Sequence, residues 1–213
     1  MERNKEYRAF RHNDAINYQT FDDAYRVDTS HPVSIKEDGR IGPGYIDNSD
    51  IYPNSIGFQN ATLHELNEIN NFLREEPGIG SYKFIDVGSG KGRVILYNMA
   101  QKAPYGSYIG IEIDARLHSI AEKNLMTTNI DLNKEVVLVN QDILDYSLSY
   151  EPCVYFLFHP FSSEVYEKFI EKNIEIINKT NSYIVFVSPQ EYDLSKVVDK
   201  NIVFSSISVC IYK

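Results

Sequence analysis

The sequence predicts an α/β protein, a doubly wound, mostly parallel seven-stranded sheet with a C-terminal antiparallel hairpin and an irregular N-terminal arm. Three observations predict it. From residue 60 onward, short apolar runs alternate with stretches of helical period. Between Phe84 and Val94, a strand passes into a helix through Gly88, Gly90 and Gly92. At the end, two β-prone runs, 202–205 and 207–212, lie side by side, so direct reversal would pair them antiparallel at one edge.

The chain divides into an arm, residues 1–60, and a domain, residues 61–213. The arm is polar and aromatic, with a turn-rich run from Gly39 to Gly44 followed by Tyr45, Tyr52 and Phe58. Its first dozen residues are locally basic, which reads as a solvated face. Long irregular segments in compact proteins are usually functional or disordered. The aromatic content opposes disorder, so the arm is expected to pack over the domain, as a lid or cover.

Within the domain, Leu63, Leu66, Ile69, Phe72 and Leu73 mark a helix over 60–74, ended by Pro77 and Gly78. Strands follow at 82–87, 108–113, 135–140, 153–158 and 182–188, the fourth almost wholly apolar and therefore central. The intervening helices are read at 90–101, after Asp114 as N-cap, and around Val165, Phe169, Ile170, Ile174 and Ile177.

Composition narrows the function. The 213 residues carry a formal net charge of −9. That balance argues against a dedicated nucleic-acid binder, which needs a basic face. No apolar run approaches the ~20 residues of a membrane span, and the polar start has no signal-peptide core. The reading is a cytoplasmic protein, with Cys153 and Cys210 as buried free thiols. His12, His31, His64 and His118 have no metal-ligand spacing, so no metal is expected.

The glycine turn carries the chemistry. Such a loop presents backbone N–H groups and a helix N-terminus to an anionic ligand group. A dinucleotide fingerprint needs a third glycine where Arg93 stands, and a P-loop needs its first glycine where Ile85 stands. In a doubly wound sheet, ligands sit at the carboxyl ends of the strands. Strand one ends in Asp86 and the loop. Strand two ends in Glu112, placed to accept two hydrogen bonds from a ribose diol. Strand three ends in Asp142, which can accept from an adenine amine, with Ile113 and Ile143 on the ring faces. Strand four ends in Phe158, His159, Pro160 and Phe161. Taken singly, Glu112 reads rather as a solvated strand end and Asp142 as a turn former. Their placement together after successive strands favours a nucleoside site.

The acid-plus-G-x-G-x-G turn, Gly110-Ile111-Glu112-Ile113-Asp114 and Asp142-Ile143-Leu144 together resemble the class I S-adenosylmethionine-dependent methyltransferases from about residue 82 to 213. More narrowly, the chain resembles a group of small bacterial methyltransferases with G-S-G-K-G-R in motif I, an upstream Y-x-V-D-T and Y-x-P, and F-N-P-F after strand four. Tyr25 to Thr29 match the first upstream piece; Pro53 follows Tyr52 directly, and His159 replaces the Asn of the last motif. The resemblance implies S-adenosylmethionine as cofactor, held by Asp86, Gly88, Ser89, Gly90, Gly92, Glu112, Ile113, Asp142, Ile143 and Tyr52. It implies His159, Pro160 and Phe161 at the acceptor, with Tyr25, Tyr52 or Phe161 facing the sulfonium. His159 can accept a hydrogen bond from the target nitrogen, act as general base, or satisfy a strand-end carbonyl. Lys91 and Arg93 can neutralise a carboxylate or lie in solvent, the latter preferred for Arg93. The expected acceptor is an amine or other nucleophile on a small molecule or a protein. The competing reading is a binding protein that keeps the cofactor pocket without transfer.

Overall fold

A computed structural model describes residues 20–30, 33–35, 41–43, 60–158, 161–187, 201–206 and 208–213. Tyr52, His159 and Pro160 lie outside the described residues. In the arm, residues 20–25 are helical, and β1 (Val33–Ile35) pairs antiparallel with β2 (Ile41–Pro43).

The domain opens with α1 (Leu63–Arg74). Thr62 and Glu65 form a capping box, with Thr62 Oγ1 accepting the Glu65 amide at 3.1 Å and Glu65 accepting the Thr62 amide at 2.7 Å. The order continues β3 (Lys83–Val87), α2 (Arg93–Ala100), β4 (Ser107–Glu112), α3 (Ala115–Thr127), β5 (Val136–Asn140) and β6 (Cys153–Phe158). It ends with α4 (Ser163–Lys179), β7 (Tyr183–Val187), β8 (Ile202–Ser205) and β9 (Val209–Tyr212).

These strands form one seven-stranded sheet ordered β5-β4-β3-β6-β7-β9-β8. The first five are parallel; β9 runs antiparallel to β7, and β8 antiparallel to β9. The expected architecture and terminal hairpin are thus observed. Every residue of β6 is buried, as its apolar run required of a central strand.

Helices cover both faces, making three layers. Phe84, Tyr108 and Phe156 meet α1 and α2 on one face; Ile85, Tyr155 and Leu157 meet Val165, Phe169 and Ile170 of α4 on the other. The chain leaves β3 toward β4 and β5 on one side, then returns to β6 and β7 on the other. The glycine loop after β3 therefore stands at the switch in strand order, at the carboxyl ends of the strands, where ligands of such sheets bind. Cys153 and Cys210 are buried free thiols. Among the described residues, no helix is long and apolar enough to cross a membrane.

Candidate cofactor and acceptor site

The three glycines of the loop all have positive φ: Gly88 77°, Gly90 52° and Gly92 82°. An L side chain is strained in that region, so the spacing records a backbone requirement. The loop is pinned to the tip of β4. The Gly88 and Ser89 amides donate to the Ile111 carbonyl at 2.9 and 3.0 Å. The Gly90 amide donates to Glu112 Oε2 at 2.7 Å. Gly110 faces this turn: a Cβ there would lie 2.9 Å from Ser89 Oγ and 2.8 Å from Leu138 Cδ2.

Asp86 and Glu112 share one face of the sheet, since Asp86 pairs with Gly110 in register and Glu112 follows two residues later. Both are buried. Burial, reinforced by the Glu112 charge, pushes the Asp86 carboxyl up to about 8, so it is mostly protonated at neutral pH. Asp86 Oδ2 is buried without a hydrogen-bond partner. An oxygen left so is costly, and a ligand donor such as an ammonium relieves it. Glu112 is likewise raised by burial, but the amides of Asp114 and Gly90 pull the other way. Its Oε1 accepts the Asp114 amide at 2.8 Å.

The tip of β5 is tied to the same place. Asn140 Nδ2 donates to the carbonyls of Glu112 and Ile113, at 2.7 and 3.0 Å. Asp142 is half-buried and its Oδ1 accepts the Leu144 amide at 2.8 Å. It is thus a turn former at the strand end. Ile113 is half-buried and Ile143 buried beside Ile111. Phe161 is buried, with its ring 6.4 Å from that of Phe169, under α4. The described candidates Asp86, Gly88, Ser89, Gly90, Gly92, Glu112, Ile113, Asp142 and Ile143 therefore fall on three adjacent strand tips.

Arg93 differs from the expectation of solvent exposure, and Lys91 pairs with a carboxylate, though one of this chain. Arg93 is 1% exposed, stacked over Phe21 at 5.6 Å with Asp22 Oδ1 at 3.4 Å. Lys91 Nζ donates to Asp28 Oδ1 at 2.8 Å and to the Ser30 carbonyl at 3.0 Å. Their partners lie more than 60 residues upstream. Asn140 was also missed, because a strand-end Asn reads as an ordinary turn residue.

A buried acid, a left-handed glycine turn and a second acid thus meet at the topological switch point of a doubly wound sheet. No protein-family model matches the chain. Over 153 residues it is 30% identical to a tRNA (guanine-N(7)-)-methyltransferase of Pediococcus pentosaceus, covering 64% of this chain and 67% of that one. A SAM-dependent methyltransferase of Leishmania major superposes with a TM-score of 0.50 at 15% identity over 70% of each chain. The methyltransferase domain of bacterial CtHen1-C superposes at 0.50 with 10% identity, over 71% of this chain and 98% of that one. These two likenesses concern the fold. The chain belongs to the methyltransferases, and its fold is one found in an S-adenosylmethionine-dependent member.

Proposed function

We propose that this methyltransferase acts on an amine, or a comparable nucleophile, of a small molecule or a protein, with the cofactor lying across the tips of β3, β4 and β5. The observation that carries the placement is the unpartnered buried oxygen of Asp86, directly before the left-handed loop and beside Glu112. In this reading Asp86 receives the cofactor's amino group, and the loop from Gly88 to Gly92 borders its methionine portion. Glu112 accepts from the ribose hydroxyls, while Asp142 faces the adenine amine and Ile113 and Ile143 pack on the ring. Tyr52 is assigned to the cofactor as well, through its aromatic face.

When bound, S-adenosylmethionine supplies an electrophilic methyl group on a sulfonium. In-line transfer then depends on holding the nucleophile on the far side of that methyl, which is chiefly a positioning task. His159 accepts a proton or a hydrogen bond from the acceptor nitrogen, and Pro160 and Phe161 shape its slot. The Pediococcus relative acts on a guanine of tRNA by its name. The net charge of −9 opposes carrying that substrate over, because tRNA binding needs neutralisation of many phosphates.

The test is tritium transfer from labelled S-adenosylmethionine to three acceptor sets: small amines, proteins and tRNA. Label in amines or proteins, lost in His159→Ala and retained in His159→Asn, supports the reading. Label confined to tRNA refutes the acceptor assignment. Tight cofactor binding with no label in any set favours the non-catalytic alternative.

A further inference from the structure

Two cations, Lys91 and Arg93, sit at the N-terminus of α2, where the helix dipole disfavours positive charge. Neither is left to solvent. Lys91 has a side chain only 8% exposed, and Asp28 meets it at 2.8 Å. Asn124 of α3 completes the joint: its Oδ1 accepts the Asp28 amide at 2.8 Å, and its Nδ2 donates to the carbonyls of Asp28 and Lys91 at 2.9 and 3.0 Å. Asp22, also buried, accepts the amides of Thr29 and Ser30 at 2.8 and 2.7 Å, and faces Arg93. The turn that carries Asp28 is thereby closed upon itself before it meets the loop.

The glycine loop thus has two anchors. On one side, Ile111 and Glu112 hold Gly88 to Gly90. On the other, Lys91 and Arg93 fasten its last residues to the arm. We propose that residues 20–30 are a positioning element for the cofactor: Asp28 acting through Lys91, and Asp22 through Arg93, hold the loop in its binding geometry and so set the affinity for S-adenosylmethionine. This rests on the placement of the cofactor over Gly88–Gly92. Any element that holds the binding-competent loop raises affinity by the fraction of molecules it restores to that geometry. By linkage, cofactor binding tightens the arm's hold to the same degree.

Calorimetric titration with S-adenosylhomocysteine tests this on the full chain, using wild type, Lys91→Met, Asp28→Ala, the double variant and Lys91→Arg. Asp28 has a side chain 67% exposed, so its truncation leaves no cavity. The expected result is a loss of affinity of about fivefold or more in each single variant, no further loss in the double, and recovery in Lys91→Arg. Melting temperature of the ligand-free proteins is read alongside, because a purely structural contact lowers it without changing affinity measured well below the transition. Affinity within about twofold of wild type in both single variants, or additive losses in the double, overturns the proposal. Wild type that does not bind overturns the cofactor placement instead, a result distinct from either.

Discussion

Glu112 holds the amide of Gly90 at 2.7 Å across 22 residues, and with its other oxygen holds the amide of Asp114 at 2.8 Å. One carboxylate thus fixes both the glycine loop and the N-cap of α3. A glutamine cannot do this, because its amide nitrogen must face one of the two donors. Glu112→Gln is therefore expected to expose one of the Gly90 and Asp114 amides to exchange. Hydrogen exchange read at these two amides checks it; unchanged protection at both would contradict the pin.

Asp86 makes stability depend on pH in a defined direction. Its folded carboxyl is raised to about 8, above the ordinary carboxylate range. The unfolded chain therefore releases its proton first, and Asp86 costs stability progressively as pH rises from about 4 to about 8. Asp86→Asn removes that cost, so its melting temperature should gain on wild type between pH 5 and pH 9. The same variant should bind S-adenosylhomocysteine more weakly, because an amide cannot give up a proton to become the carboxylate that the ligand's ammonium draws out of Asp86 on binding. Differential scanning at the two pH values, with calorimetry at pH 7, measures both. A difference in melting temperature that does not change with pH would contradict the assignment.

Gly110 is a steric requirement rather than a conformational one. A methyl group there meets Ser89 Oγ, Leu138 Cδ2 and Ile95 Cδ1 within 3.0 Å. Gly110→Ala should cost about 1–3 kcal/mol from overpacking, seen as a fall in denaturant midpoint. Because Ser89 belongs to the loop, cofactor affinity should fall with it. Stability and affinity both equal to wild type would show that the contact relaxes freely.

Much of this was legible locally. The glycine spacing reports positive φ, the apolar run of β6 reports burial on both faces, and Asp114 reads as an N-cap because its side chain acts two residues away. The acids Asp86 and Glu112 were legible as strand ends, whereas their sharing one sheet face depends on the register of β3 against β4. The joint of Lys91 with Asp28, and of Arg93 with Asp22, was not legible, since the partners stand 63 and 71 residues apart in sequence. One signal was present: two cations on the first turn of a helix oppose its dipole and call for acids from elsewhere. Asn140 gave no such signal, as its role depends on the register of β5 against β4.

The most direct measurement is the affinity of wild type and Glu112→Ala for S-adenosylhomocysteine by titration calorimetry. If Glu112 receives the ribose hydroxyls while holding Gly90, the variant loses charge-assisted bonds worth about 1.5–3 kcal/mol each, and affinity should fall at least about tenfold. Equal heats and equal affinity in the two proteins would mean that the nucleoside does not lie across these strand tips.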